Sequence, residues 1–301
     1  MNILLTGATG FLGGHIARAL LANGHTLVCA ARSPDKVMAR LPGATAVHID
    51  FSRATRAQDW LPVLKGIDVA INAVGILQET STQSFDALHH LAPRALFEAC
   101  RTAGVRRIIQ ISALGADEHA QSAYHLSKKA ADDYLASLPV PGAIVQPSLV
   151  YGPGGTSAKM FSTLVRLPVI PLPGQGQQQV QPIYITDLVD GICALVQADP
   201  MPTGRIPFVG PVPLSLREFY TRLRMALGIK SDPHFAPVPM PLVSLGAQVG
   251  SLIPGLMLDT DTLQMLNRGN VGDPAPLRHL LGRDLRPVEQ FAKEEIGAPR
   301  F

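Results

Sequence analysis

The sequence predicts an α/β chain, a doubly wound parallel sheet joined to a smaller α/β C-terminal region. Three observations predict it. Short apolar runs, each long enough for one buried strand, alternate with segments of helical period over the first half of the chain. Gly7, Gly10 and Gly13 stand at three-residue spacing between the first apolar run and the first helical segment. Near residue 150 the alternation gives way to proline-rich sequence, which sets a soft boundary between residues 1–150 and a second, interleaved region, 151–301.

Residues 2–5 form the first strand, and Ile16, Leu20 and Leu21 recur at helical spacing after the glycines. Strand, glycine turn and helix arrive in the order that a dinucleotide-binding Rossmann fold requires. Gly7 makes the tight turn, Gly10 admits a pyrophosphate, and Gly13 lets helix and strand pack closely. The free N–H groups and positive dipole end of the helix then face the phosphates. Thr26–Ala31 is the second strand, ended by Arg32, and Ser33-Pro34-Asp35 starts a helix with serine at the N-cap and proline at the first helical position. An NAD-preferring fold places an acid about 20 residues after the glycines, on the ribose 2′-hydroxyl. Position 32 holds a guanidinium, which can pair bidentately with a 2′-phosphate, so the sequence predicts NADP(H) over NAD(H).

Residues 46–49 and 68–72 are the third and fourth strands, and 84–103 is a long helix that Pro93 should kink or restart. His89 and His90 are adjacent and so point in different directions on a helix, with no acid or cysteine to complete a set; no metal site is expected. Residues 107–112 are the fifth strand. Ser112 ends it on the side where open α/β sheets bind ligands. Twelve residues on, Tyr124 and Lys128 open the next helix, four apart and on one face. Hydride transfer to a carbonyl needs a proton donor for the oxygen, and the reverse reaction needs a base. A free tyrosine titrates near pH 10. A neighbouring ammonium, helped by a positively charged nicotinamide, is expected to favour its phenolate and lower that value. Ser112 can hydrogen-bond the same oxygen and stabilise its developing charge.

Gly-x-x-Gly-x-x-Gly preceded by Thr6, with Ser112 ahead of Tyr124-x-x-x-Lys128, resembles the short-chain dehydrogenase/reductase superfamily, specifically its extended and atypical members related to nucleotide-sugar epimerases. The resemblance implies cofactor contacts from Thr6, Gly7, Gly10, Phe11, Leu12 and Gly13, and from Tyr124 and Lys128. It adds Asp50, similar to a strand-end aspartate that meets the adenine amino group, and its neighbour Phe51. Asn72-Ala73-Val74-Gly75 resembles in part the superfamily's Asn-Asn-Ala-Gly segment, so that Ala73, Val74 and Gly75 would pass beside the cofactor ribose. Residues 142–146 are the sixth strand. The stretch after it resembles the extended group's Arg-Pro-x-x-Val-Tyr-Gly-Pro, which wraps the nicotinamide side; this brings in Pro147, Ser148 and Val150, with Gln146 in place of the arginine. Two departures stand out. His89 lies near the position where many relatives carry a proton-relaying asparagine, and Ala92-Pro93 replaces Gly-Thr. Residues 72–76 and 112–116 are most similar to an atypical branch resembling the NADPH-binding accessory subunit of respiratory complex I.

The second region reads as helices over 156–167, 187–196 and 215–227, with Asp187 near an N-cap and a short strand over 205–209. It carries no recognisable sugar-nucleotide signature and is expected to build the substrate pocket. Residues 237–258 are the most apolar stretch. Prolines leave about a dozen helix-capable residues, 242–253, too few for a span that needs roughly 20. A closing helix is expected over 287–296.

Composition narrows the function. With a net charge of +3 and no Lys/Arg run, nucleic acid is not an expected partner. The mean hydropathy of +0.19 suits an apolar pocket, an oligomer interface or a membrane surface. Cys29, Cys100 and Cys193 sit far apart in apolar contexts and read as core residues in a reducing compartment, and a cytoplasmic location is expected. The expected function is an NADP(H)-dependent oxidoreductase acting on an apolar carbonyl, hydroxyl or quinone-like small molecule. Two rivals differ in class: a non-catalytic NADP(H)-binding partner of a respiratory membrane complex, and a nucleotide-sugar epimerase or dehydratase.

Overall fold

The computed structural model describes residues 1–250, 263, 264, 266 and 268–292, with side chains given to residue 245 and again from 263. The chain divides into two units: one of Met1–Gln146 with Val189–Ile206, the other of Pro147–Leu188 with Pro207–Phe301.

The first unit is built on a sheet. Its strands are β1 (Asn2–Thr6), β2 (Thr26–Ala31), β3 (Thr45–His48), β4 (Val69–Asn72), β5 (Arg107–Ile111) and β6 (Gly142–Pro147). Between them lie α1 (Phe11–Ala22), α2 (Pro34–Arg40), α3 (Ala92–Ala103) and α4 (Ala123–Ser137). The sheet has seven strands, with β3, β2, β1, β4, β5 and β6 followed by Gly204–Phe208 at the far edge. Pairings from β3 through β6 are parallel. The strand order reverses between β1 and β4, and such a switch point opens a crevice at the strand C-termini. The chain returns to the sheet after residue 188, and Gly204–Phe208 pairs there with β6.

β1, β4 and β5 are buried almost throughout, as continuous apolar runs covered on both faces require. One core cluster joins Leu4, Ala70 and Ile108 of the sheet to Leu96, Phe97 and Cys100 of α3 and to Trp60, whose indole N–H donates to the Ala54 carbonyl at 2.9 Å. All three cysteines are buried and unpaired. α3 is entered through a π-helical turn, Asp86–Leu91, and Pro93 lies in its first turn. Proline's missing N–H is tolerated there, so the expected long helix restarts at the proline. Gly104, at φ +74°, closes α3 in the left-handed conformation.

The second unit holds three two-stranded pairings: Val150–Tyr151 with Ile183–Tyr184, Gln179–Val180 with Leu214–Ser215, and Val169–Pro173 with His234–Val238. Tyr151 and Tyr184 pack on Phe291 at 5.2 and 5.1 Å between ring centres. The helix over Leu216–Ala226 starts with a reciprocal cap between Ser215 and Glu218. Asp187 lies in the first turn of Ile185–Gln197, and its buried carboxylate takes ion pairs from Arg283 and Arg286. The apolar stretch forms a helix over Met240–Gly250. The remainder of the expected helix, 251–253, and residues 254–258 lie outside the described residues. Of the closing helix, Val288–Gln290 is a 3₁₀ turn, and 293–296 lie outside the described residues. Among the described residues no helix is long and apolar enough to cross a membrane.

Candidate active site

Thr6 ends β1 fully buried, and its hydroxyl donates to Asn72 Oδ1 at 2.6 Å while Asn72 Nδ2 donates to Gln110 Oε1 at 2.7 Å. This buried chain ties the ends of β1, β4 and β5 together beneath the glycine turn. Gly7 has φ +74°, and a Cβ there would lie 2.5 Å from the Ala73 carbonyl oxygen. A Cβ on Gly13 would lie 2.1 Å from the Gly7 carbonyl oxygen. Both positions therefore require glycine. At Gly10 a Cβ would meet only the Gly7 oxygen, at 3.3 Å. Gly10 is exposed and caps α1 with no side-chain hydrogen bond, and the first turn, from Phe11 and Leu12 on, carries no acid. The unspent N–H groups there form an anion cradle, and the residues present fit a cofactor pyrophosphate.

Beside the turn, Arg32 at the end of β2 and Asp50 after β3 line a cavity of about 550 Å³ with Ser52, Arg53 and the polar segment 80–84. Asp50 Oδ1 accepts from the Ser52 hydroxyl at 2.7 Å and the Ser52 N–H at 3.2 Å. Phe51 is buried and packs edge-on against Trp60 at 5.3 Å, so its ring belongs to the core. Arg53 and Ser52 escaped the sequence reading because a lone basic or hydroxyl residue after a strand carries no pattern.

The candidate reacting groups come from the residue after β5 and from α4. Ser122 caps α4, accepting from the His125 N–H, and the His125 ring reaches the Leu114 carbonyl at 3.1 Å, which fastens the loop after Ser112 to the helix. Gln146 Nε2 donates to the Ala116 carbonyl of the same loop at 3.2 Å. On α4 the helical period puts Tyr124, Lys128 and Asp132 on one buried face. Lys128 Nζ donates to the carbonyls of Ile111 (3.1 Å) and Val74 (3.3 Å), stitching the helix to the strand ends. A side chain at Gly75 would come within 3.2 Å of that Nζ. Ser112 Oγ donates to Asp132 Oδ2 in a short hydrogen bond. The sequence reading missed Asp132; an acid eight residues past a tyrosine on a helix reads as a solvated face, and only the packing shows otherwise.

Electrostatics follow from burial. Lys128 is pulled down to about 8 by desolvation, against the pull of Asp132. Asp132 is raised to about 7, by desolvation first, with Ser112 and Lys128 opposing. Tyr124 is pushed up to about 12 by burial and then by Asp132. Burial and Asp132 thus act against the lowering expected from Lys128 and a charged nicotinamide. Tyr124 therefore holds its phenol proton firmly.

His89 is fully buried and held near 2 by desolvation and Lys128, hence neutral. Its Nε2 accepts from the Ile76 N–H at 3.0 Å, so Nδ1 carries the proton and donates to Ser127 Oγ at 3.1 Å. The ring stacks on Phe85 and meets Tyr124 edge-on. His89 thereby supports the tyrosine through packing. His90 pairs with Asp86 at 2.9 Å, and among the described residues no cluster of metal-ligating side chains forms.

Pro147, Ser148 and Val150 open the second unit. Ser148 Oγ donates to the Gln181 carbonyl at 2.6 Å, and Val150 pairs with Ile183.

Residues 3–210 match the NAD dependent epimerase/dehydratase family. A ceramide reductase of Caulobacter vibrioides is 31% identical over 293 residues, covering 95% of this chain and 86% of the relative. The mitochondrial complex I alpha subcomplex subunit 9 of Arabidopsis thaliana is 28% identical, covering 98% and 78%. Among solved structures, a nucleoside-diphosphate-sugar epimerase of Staphylococcus aureus superposes with a TM-score of 0.78 at 19% identity, over 98% of this chain and 100% of the other. The UDP-glucuronic acid 4-epimerase of Bacillus cereus, solved with UDP-glucuronic acid and NAD, superposes at 0.70 with 18% identity, over 99% and 98%. These two likenesses are ones of fold.

Proposed function

Because the chain belongs to the NAD dependent epimerase/dehydratase family, we propose that it is an NADP(H)-dependent oxidoreductase that reduces the carbonyl of an apolar, lipid-like or quinone-like small molecule. One observation carries the reading: Tyr124 and Lys128 share one buried face of α4, where Asp132 is bonded to Ser112 and Lys128 is bonded to both strand ends. The reduced nicotinamide supplies the hydride when bound. Tyr124 donates its proton to the carbonyl oxygen as the carbon is reduced, leaving an alcohol and a phenolate. Lys128 stabilises that phenolate by its charge, and Ser112 donates a hydrogen bond to the same oxygen. The glycine turn and the first N–H groups of α1 hold the pyrophosphate, and Arg32 the 2′-phosphate.

The likeness to a ceramide reductase supports an apolar substrate. A second reading, a cofactor-holding partner of a respiratory membrane complex, draws support from the likeness to the plant complex I subunit. The Tyr124→Phe variant separates the two. With long-chain aldehydes, ketones and quinones as acceptors, it should consume NADPH about 10²–10⁴-fold more slowly than wild type, while binding NADPH as tightly by fluorescence titration. Equal rates in the two proteins would exclude the catalytic role.

A further inference from the structure

Asp132 has no part in the reduction just described, yet it is fully buried and its Oδ2 is bonded to Ser112 Oγ. Its Oδ1 has no hydrogen-bond partner among the described residues. Lys128, one turn earlier, gives its hydrogen bonds to the Val74 and Ile111 carbonyls and none to Asp132. The other charged groups that act on Asp132 are its neighbour Asp133 on α4 and Arg205 on the edge strand, and Arg205 is itself paired with Asp133. An ionised carboxylate here would have one oxygen held by a single hydroxyl and the other by no described residue, a costly arrangement for a fully buried charge.

The hydrogen count on Ser112 makes this consequential. Its hydroxyl has one proton. If Asp132 is ionised, that proton points at Oδ2 and cannot reach a reacting oxygen. If Asp132 is protonated on Oδ2, the acid donates to Ser112 Oγ, and the serine proton is released towards the substrate. A neutral Asp132 also removes an anion that would oppose the Tyr124 phenolate left by proton donation. We infer that Asp132 is a positioning residue that must be neutral for reduction, because only the protonated acid turns the Ser112 hydroxyl outward. No proton leaves Asp132 in this scheme; its hydrogen bond alone sets the direction of the next. The inference rests on the oxidoreductase reading for its catalytic consequence. The protonation of Asp132 and its link to Ser112 stand apart from that reading. The burial-raised position of Asp132, about 7, agrees with a switch in the neutral range.

The test is infrared difference spectroscopy on the full chain, wild type minus Asp132→Asn, from pH 5.5 to 9. A protonated-carboxyl C=O band should be present at pH 5.5 and fade with a midpoint near 7, and Ser112→Ala should shift it by removing the acceptor of its hydrogen. Absence of the band at pH 5.5, or a band that Ser112→Ala leaves unmoved, overturns the inference. Should Asp132→Asn fail to fold, the pH-dependent band and its Ser112→Ala shift decide alone. Where NADPH-dependent reduction is measurable, wild-type kcat should fall about tenfold per pH unit once Asp132 ionises. Asp132→Asn, whose amide donates to Ser112 at every pH, should abolish that fall; an unchanged profile contradicts the role. If no acceptor is reduced but the band behaves as described, the functional reading fails and the Asp132–Ser112 link survives.

Discussion

At the residue scale, the site turns on which protons are held and where. Burial keeps the Tyr124 phenol protonated, keeps His89 neutral with its proton on Nδ1, and draws Lys128 and Asp132 towards neutral pH from opposite sides. Tyr124, Lys128 and Ser112 were legible in the sequence because their spacing is a pattern. Asp132 was not, since what marks it is complete burial with a single side-chain partner, Ser112. Arg32 belongs at this scale too. It lines the cavity with Arg53 and Asp50, and Arg32→Asp should weaken NADPH about tenfold to a hundredfold, as expected for a charge-assisted bond worth about 1.5–3 kcal/mol. NADH affinity should hold or rise. A fluorescence titration in which the variant loses both cofactors equally would remove Arg32 from the 2′-phosphate.

At the scale of elements, the glycines of the β1–α1 turn differ in what a side chain would meet. A Cβ at Gly13 strikes the Gly7 backbone, whereas one at Gly10 meets little. Gly13→Ala should therefore lower stability by about 1–3 kcal/mol through overpacking, and cofactor affinity with it. Gly10→Ala should stay within about 0.5 kcal/mol of wild type in urea unfolding, yet bind NADPH far more weakly. Equal loss of stability in both variants would contradict the distinction. The same scale shows where sequence patterns stop. Pro93 announced a break in a long helix, but no local pattern marked the π-helical turn before it, where His89 stacks on Phe85 and bonds Ser127. Asp187 at a helix start looked like a cap; its pairing with Arg283 and Arg286, nearly a hundred residues on, had no local mark.

At the scale of the whole molecule, the parallel sheet and its switch point were readable because buried parallel strands are continuous apolar runs set between helical segments. The return of the chain to supply the edge strand was not, since a short strand near residue 205 has no local mark of its partner. The two units, each discontinuous in sequence, follow from that return. The central claim is that this molecule moves a hydride to a carbonyl carbon with Tyr124 supplying the proton. NADPH carrying deuterium at the transferable C4 position, incubated with the protein and a total lipid extract, tests it by mass spectrometry of the products. The account predicts deuterium on the carbinol carbon of an apolar alcohol, lost with Tyr124→Phe. Tight NADPH binding with no deuterium transferred to any product would contradict it.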